Sequence, residues 1–509
     1  MITLNQKSWI FASILYLAIP IILWLGGWVR PCLSLPLISA LLFVLFLIFR
    51  TLPQQQVSVS RRPFLTSLSI VFIAISIIGF TGHFEQNPDF FFRNPIYNNL
   101  IRYDWPLVFP DGNLFVYYFG FWLPPALISK FLPAEASQYV LWLWSLLGMV
   151  LFIGTMTLYF KNRIWVFTLV LFALAPLTLV MNKAGVMNFF LDPQGLGKKV
   201  HWNCTLAQLV CTFNHIIPCL VFGGVLINKI LDKASLLFTA ALLLLCSPFG
   251  GIAFLPYLIF AILRGNGSLS TFFRSWNIKS SFILTTGCLI VLATTLFLSG
   301  TNSMNILLLT QKNPGITFFE WLGIIIFFTA NLGIPAILLY PAFRKSSMYW
   351  ITVCSFIVCT FIYMGDLHNE LIFKTSGIFF FFFAMMCTIA LPALWKTRKY
   401  LLVTYISLCS LYPISLFIHH AKSFAVSHTG RQQNLRQEWK DSLYHPGDME
   451  YLKAVKNSAI INHLIYYSQS GESANGVMAW ASTGQHAADL SQYPNTQDNA
   501  TETMSRQDP

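Results

Sequence analysis

The sequence has very little charge for its length. Only 10% of its 509 residues are charged, whereas 56% are hydrophobic and 47 are Phe. A single water-soluble core cannot bury that much apolar surface, so the composition excludes a soluble globular protein and predicts a lipid bilayer as partner. The apolar segments are continuous blocks rather than alternating strands, which also argues against a β-barrel.

Several motifs of soluble enzymes are missing. The sequence has no GxSxG elbow, no Walker loop and no GxGxxG in a suitable context, so it does not indicate a serine hydrolase, a nucleotide hydrolase or a dinucleotide-binding protein. Its ten cysteines include no CxxC pair, and most lie inside apolar runs. Neither a metal site nor a disulfide framework is therefore predicted, and no cofactor is indicated.

The net charge of +13 comes from basic residues in short clusters between the hydrophobic runs. Such clusters are typical of topology signals in a membrane protein, where Lys and Arg mark the cytoplasmic loops. Nucleic acid is therefore not a predicted partner.

The apolar runs predict an all-α polytopic membrane protein. Roughly ten to twelve of them are long enough to cross a bilayer as helices. They fill residues 1–418, the predicted transmembrane domain, and residues 419–509 form a polar C-terminal tail whose composition predicts partial disorder.

Two segments interrupt this pattern. Residues 114–131 are broken by Pro124-Pro125, and residues 234–263 by Ser247 to Gly251. If both segments return to their own side of the membrane, one set of four basic residues is cytoplasmic: Lys161, Arg163, Lys229 and Lys233. If both segments cross, these four lie outside and a different set of four is cytoplasmic. The positive-inside rule therefore does not decide between the two arrangements.

We prefer the first arrangement because it gathers three polar loops on one face: 81–112, 182–203 and 364–376.

Charge is concentrated in the first large loop, residues 81–112, which this topology places outside. The loop offers two acid–base pairs, Asp89 with Arg93 and Asp104 with Arg102. A transfer reaction at a membrane surface needs a base for the acceptor hydroxyl and a cation for a phosphate, and such pairs supply both. The alternative is that the pairs cap short interfacial helices or anchor the loop at lipid headgroups.

A second polar cluster contains Asp366, His368, Asn369, Glu370 and Lys374. Glu370 and Lys374 stand four residues apart and would pair on one helix face. An ionisable cluster at the end of a membrane helix indicates function, although a snorkelling lysine with a counter-ion gives the same pattern.

His215 lies within an apolar run. A histidine in such a place is more often a hydrogen-bonded packing residue than a ligand for substrate. Both interpretations are kept, with His215 and His368 as candidate substrate-binding residues beside Arg93, Arg102 and Lys374.

Three stretches together resemble a group of bacterial polytopic membrane proteins. The run DFFFRNPIYNNLI, with DWPL and LFVYYFGFWLPPALISK after it, is similar to an acidic loop followed by a Tyr-Tyr and Leu-Pro-Ala-Ala-Leu segment that ends in Gly-Lys. NHIIPCLV is similar to a Trp-x-Pro-Gln-His element, and NELIFKTS to an Asn-Asp-Phe element with Met-Arg-x-Ser. Departures from that pattern are Pro125, Ser129 and Phe213-Asn214.

That group in turn resembles the lipid-linked-sugar-dependent glycosyltransferases of the GT-C superfamily. The resemblance implies a catalytic acid in the first outer loop and a polyprenyl-phosphate-linked sugar donor. Asp89 would then be the base, Arg93 and Lys374 would meet the donor phosphate, and Glu370 or Asp104 would orient the acceptor. The similarity is one of fold, and function does not follow from fold alone.

The sequence thus favours a glycosyltransferase of the bacterial inner membrane and cell envelope. It would move a sugar to an acceptor hydroxyl of a glycan or lipid at the outer face, with the C-terminal tail outside. One rival is a transporter or flippase for a lipid-linked or anionic substrate, whose broken helices would line the path. Another is a non-catalytic membrane assembly subunit.

Overall fold

The computed structural model describes residues 1–81, 83–84, 86–87, 89–108, 114–183, 202–263, 277–300, 306–312, 315–364, 369–426 and Leu464. Within these ranges seven helical segments are long and apolar enough to cross a membrane. This agrees with the predicted all-α polytopic membrane protein.

The helices follow one another in the order of the chain, with short 3₁₀ turns at Gly120–Trp122, Ala134–Ala136 and Lys161–Arg163. They are α1 (Gln6–Gly27), α2 (Pro31–Thr51), α3 (Arg61–Ser76), α4 (Phe90–Arg102), α5 (Leu123–Ser129), α6 (Ser137–Phe160), α7 (Ile164–Ala173), α8 (Leu177–Lys183), α9 (Thr205–Asn228), α10 (Lys233–Leu243), α11 (Pro248–Leu263), α12 (Ile278–Leu298), α13 (Leu309–Lys312), α14 (Phe318–Phe328), α15 (Ile334–Phe343), α16 (Ser347–Phe361) and α17 (Glu370–Val426).

Four short strands form two antiparallel pairs at opposite faces of the bundle. Strand β1 (Ile2–Asn5) pairs with β2 (Gln56–Val59), with Ile2 opposite Val59. Strand β3 (Ile306–Leu308) pairs with β4 (Ile362–Met364). The first pair brings the N-terminus beside the connection between α2 and α3.

The two faces of the bundle can be assigned from these pairings. The N-terminal face holds β1, β2 and the 161–163 turn, because the Ser60 N–H donates to the Asn162 Oδ1 at 2.8 Å. Helix α3 leads from that face and α6 returns to it. The loop between them therefore lies on the opposite side, which we call the distal face. There the Tyr97 hydroxyl of α4 donates to the Ser137 carbonyl at the start of α6.

The first broken segment does not cross the bundle. Its only α-helix, α5, has seven residues with Pro124 and Pro125 near its start. Seven residues extend about 10 Å, far less than a bilayer needs. Both flanks, the end of α3 and the start of α6, lie at the distal face, so the segment stays on its own side as the preferred arrangement expects.

The second broken segment is a re-entrant hairpin, formed by α10 and α11. The Lys233 ammonium at the start of α10 donates to the Ile262 carbonyl near the end of α11, so both ends lie together. They lie at the N-terminal face, where the neighbouring Asn228 side chain donates to Thr155 near the end of α6. The hairpin apex at 244–247 points toward the distal face, since the Gly120 N–H donates to the Leu245 carbonyl at 3.2 Å. This segment too returns to the side from which it enters.

Helix α17 reverses direction at a kink. Arg398 has non-helical backbone angles (φ −141°, ψ 33°), which divides α17 into two halves. Cys387 of the first half and Cys409 of the second lie near each other, which requires the chain to turn back at the kink.

The helix ends at Val426, eight residues beyond the predicted end of the transmembrane domain at residue 418. Beyond α17 the structure describes Leu464 of the tail, whose carbonyl accepts a hydrogen bond from the Arg30 N–H at the distal face. The predicted disorder of the tail lies outside the described residues.

Candidate functional site

The predicted pair of Asp89 and Arg93 is present at the start of α4. Asp89 immediately precedes the helix with helical backbone angles, so its carboxylate lies one turn from Arg93. The Arg93 Nη2 is 3.3 Å from the Asp89 Oδ2. The Asp89 side chain is 40% exposed, whereas that of Arg93 is 14% exposed. The acid is therefore accessible to a reactant while its cation is largely desolvated.

Arg93 lies over an aromatic platform. Its guanidinium carbon is 5.9 Å from the centre of the Phe213 ring on α9. Phe80, Phe90, Phe121 and Trp122 surround the same ring. The Arg93 Nη1 is buried and has no hydrogen-bond partner among the described residues. A buried donor left unpaired costs free energy, which an anionic ligand would offset.

The second predicted pair, Glu370 with Lys374, is also present, on the first turns of α17. The Lys374 Nζ also donates to the Tyr118 hydroxyl at 2.7 Å. It lies over the Phe249 ring of α11, 4.6 Å from the ring centre. Its side chain is only 10% exposed. Aromatic faces and one carboxylate thus hold this ammonium in place, unlike a lysine that snorkels freely to the interface.

His215 is fully buried and bonded at both ring nitrogens. Nε2 lies 2.9 Å from the Lys374 carbonyl oxygen, and Nδ1 lies 2.6 Å from the Ser247 hydroxyl at the hairpin apex. The structure therefore places His215 next to the second pair, as a buried residue with hydrogen bonds at both ring nitrogens.

A break in α9 brings the two acid–cation pairs to one region. Thr212 has non-helical angles (φ −132°, ψ 44°), and Phe213 and His215 follow directly. Phe213 contacts Arg93 and His215 contacts the Lys374 backbone. Since Phe213 and His215 are two residues apart, Arg93 and Lys374 lie near the same part of α9. The distal face thus holds two carboxylates and two cations around one broken helix.

The other predicted pair lies away from this region. Asp104 and Arg102 are exposed at the far end of α4, whose 13 residues span about 20 Å. The charged neighbour of Asp104 is Lys130. Burial lowers the pKa of the Lys130 ammonium, and Asp104 partly opposes that shift. The structure therefore separates Asp104 from Asp89 and does not join it to the Lys374 cluster.

Two residues of the second polar cluster, Asp366 and His368, lie outside the described residues. Asn369, by contrast, is buried and joins β4 to α17, because its side chain accepts from the Met364 N–H and donates to the Ile362 carbonyl.

Two residues of the region were not predicted from the sequence. Tyr118 belongs to the first broken segment and Ser247 to the apex of the second, and both meet residues far away in the chain. The signal was present in part, since Ser247 directly precedes Pro248 and Tyr118 lies six residues before Pro124. A proline break predicts irregular backbone, but it does not say which polar side chain the irregularity exposes to a neighbour.

The arrangement can accept a proton and stabilise a developing negative charge. The exposed Asp89 carboxylate is suited to the first task, and the Arg93 and Lys374 cations to the second. Within the described part of the chain no three His, Cys, Asp or Glu side chains come together as a metal site would need.

No model of a known family, no curated protein and no solved structure matches this chain.

Proposed function

We propose that the protein is a membrane glycosyltransferase that moves a sugar from a polyprenyl-phosphate-linked donor to an acceptor hydroxyl. The observation that carries the proposal is the convergence of two acid–cation pairs, Asp89–Arg93 and Glu370–Lys374, at the break in α9. The GT-C resemblance of the sequence suggests the donor class, and the charge arrangement is compatible with it.

Asp89 acts as the general base in this proposal. It takes the proton of the acceptor hydroxyl while the acceptor oxygen forms a bond to the anomeric carbon. The bond from that carbon to the donor phosphate oxygen breaks, and its electron pair leaves with the phosphate. The 40% exposure of the Asp89 side chain supports this role, since a base must reach its substrate.

Arg93 and Lys374 stabilise the departing phosphate. The buried Arg93 Nη1, which has no hydrogen-bond partner within the described part of the chain, offers a donor. The Lys374 ammonium offers a charge already positioned by Tyr118. Positioned cations of low exposure stabilise developing charge more effectively than solvated ones. Of the two candidates for orienting the acceptor, Glu370 is favoured over Asp104, which lies at the other end of α4.

The N-terminal face is assigned to the cytoplasm and the distal face to the outside of a bacterial cytoplasmic membrane. Lys161, Arg163, Lys229 and Lys233 all lie on the N-terminal face, together with basic residues near the ends of α2, α15 and the first half of α17. The positive-inside rule then favours this orientation. It places the start of the C-terminal tail outside.

The decisive comparison is between Asp89→Asn and Asp104→Asn in the full-length protein, reconstituted in liposomes with polyprenyl-phosphate sugars. Both substitutions remove one carboxylate of α4 or its flanks and keep the side-chain shape. We expect Asp89→Asn to lower transfer about 100-fold or more, the usual contribution of a general base, and Asp104→Asn to leave it near wild type. Unchanged transfer in Asp89→Asn would refute the catalytic role.

A transporter or flippase is the second candidate, and the broken helices favour it. The interruption of α9 at Thr212 and the re-entrant hairpin of α10 and α11 are the type of discontinuous helix that forms binding sites in transporters. If wild-type protein moves a lipid-linked or anionic substrate across liposomes but transfers no sugar, this candidate replaces the first.

A further inference from the structure

A continuous chain of buried hydrogen bonds joins the apex of the re-entrant hairpin to the backbone of Lys374. The Ser247 hydroxyl is 2.6 Å from the His215 Nδ1, and the His215 Nε2 is 2.9 Å from the Lys374 carbonyl oxygen. The side chains of Ser247 and His215 are fully buried. Helix α9, the hairpin that follows it and the distant α17 therefore meet in this chain of hydrogen bonds.

The hydrogen-bond partners fix the order of donors and acceptors for a neutral ring. A carbonyl oxygen can only accept, so the His215 Nε2 carries the proton. The Nδ1 is then an acceptor, and the Ser247 hydroxyl donates to it. The Ser247 oxygen in turn accepts the Gly250 N–H at 2.9 Å, which caps the first turn of α11. Every link thus has a matching donor and acceptor.

The apex has no spare room. A Cβ atom added at Gly250 would collide with the Ser247 hydroxyl and with the Cys219 thiol of α9. The space around the Ser247 hydroxyl is therefore filled, which favours one geometry for its hydrogen bonds. The hydroxyl also lies 3.1 Å from the Cys219 thiol of α9.

The other end of this series of hydrogen bonds lies in the first turns of α17. The Lys374 carbonyl accepts from His215 and also from the Gln208 Nε2 at 3.1 Å. The side chain of the same lysine reaches Tyr118 and Glu370. The backbone position of Lys374 decides where its ammonium can lie between these two groups.

We propose that Ser247 and His215 are positioning residues for Lys374, so that the re-entrant hairpin sets the location of the ammonium at the distal face. The value of that location for catalysis rests on the proposed function, in which Lys374 meets the donor phosphate. The positioning itself does not depend on it.

The first experiment measures the Lys374 amine directly. Full-length protein in detergent is methylated with formaldehyde and a borane reductant, and the rate at Lys374 is followed by mass spectrometry. Ser247→Ala removes the hydroxyl from the chain. Ser145→Ala is the matched control, because the equally buried Ser145 hydroxyl donates only to the Leu141 carbonyl of its own helix.

We expect methylation of Lys374 to rise about fivefold in Ser247→Ala, the ratio that corresponds to the loss of one buried hydrogen bond. It should not change in Ser145→Ala. The rate at Lys130, whose ammonium donates to the Tyr103 carbonyl instead, should not change in either variant. If Ser247→Ala lowers the melting temperature more than Ser145→Ala does, His215→Gln takes its place, since it also interrupts the link to Ser247. Rates equal to those of the control in both variants would overturn the proposal.

The second experiment uses citronellyl phosphate, a short prenyl phosphate, as the probe. Its affinity is measured for wild type, Ser247→Ala, Lys374→Met and the double variant. If Ser247 acts through Lys374, Ser247→Ala weakens binding about fivefold in wild type and has no effect once Lys374 is Met. An equal effect in both backgrounds contradicts the positioning role. If wild type binds no prenyl phosphate, the proposed function fails, and the methylation rates alone decide the positioning.

Discussion

The ammonium nitrogen of Lys374 lies 2.7 Å from the hydroxyl of Tyr118, although 256 residues separate them in the chain. Tyr118 belongs to the broken segment between α4 and α6, and Lys374 to the start of α17. This contact joins two distant parts of the chain at the distal face, near the two acid–cation pairs.

Replacing Tyr118 should separate the two ways in which it holds Lys374. Tyr118→Phe removes the hydrogen bond and keeps the ring, whose centre is 5.1 Å from the ammonium. We expect a reduction of transfer of about fivefold, and a larger one in Tyr118→Ala because the ring is lost as well. The initial rate of sugar transfer measures both. Tyr16→Phe, which removes a buried hydroxyl bonded to the Trp144 carbonyl, is the control; an equal loss there would show a general packing effect.

The ionisation of Lys130 should depend on Asp104. Burial lowers the pKa of Lys130 and the Asp104 carboxylate partly opposes this, so Asp104→Asn should lower the pKa further. The unfolded chain then binds more protons than the folded one between the lowered pKa and the ordinary lysine value. The free energy of unfolding therefore rises with pH through that window, and it rises more steeply in Asp104→Asn. An NMR titration of ¹³C-methylated Lys130 gives the pKa. A rise in Asp104→Asn, or an equal change in Asp89→Asn, would contradict the assignment.

The packing of α6 against α1 should tolerate no added methyl group at Gly154. A Cβ there would collide with the Trp9 indole, which is too rigid to fold away. We expect Gly154→Ala to lower the free energy of unfolding by about 1–3 kcal/mol, as overpacking of a close interface usually does. Thermal unfolding in detergent provides the measurement. Gly26→Ala is the matched control, since nothing lies within 4 Å of its added Cβ, and equal stability of the two variants would disprove the contact.

The two faces of the bundle should be accessible from opposite sides of the membrane. Single cysteines at Arg163 and Lys345 test the N-terminal face, and cysteines at Glu135 and Ser299 test the distal face. All four positions are exposed. Cys32, Cys288 and Cys354, which are exposed too, are first replaced by Ala.

We expect an impermeant maleimide to label positions 135 and 299 in intact cells, and positions 163 and 345 only in inverted membrane vesicles. The reverse pattern would overturn the orientation alone. Labelling of positions 163 and 135 from the same side would contradict the path of α6.

Local spacing was enough to predict both ion pairs. Asp89 with Arg93 and Glu370 with Lys374 each stand four residues apart, and any helix places such residues on one face. Spacing alone could not rank Asp89 above Asp104, because both acids have a nearby arginine. The structure distinguishes them, since Asp104 lies at the far end of α4 beside Lys130.

The path of the broken segments needed the tertiary structure. The number of cytoplasmic basic residues did not distinguish returning segments from crossing ones, because four such residues favour each arrangement. The contact between Lys233 and the Ile262 carbonyl shows that the hairpin returns to the face from which it starts. The short length of α5 shows that the first segment does not cross the bundle. Neither feature has a local sequence signal, because proline breaks a helix without determining where the chain goes next.

By itself the sequence determined the environment, the helical class and the local pairing of charges, since hydrophobic length and residue spacing act within one segment. Only the tertiary structure decided which segments turn back and which pair meets His215, Ser247 and Tyr118. These contacts join residues up to 256 positions apart. Their geometry depends on how whole helices pack, which no single stretch of sequence specifies.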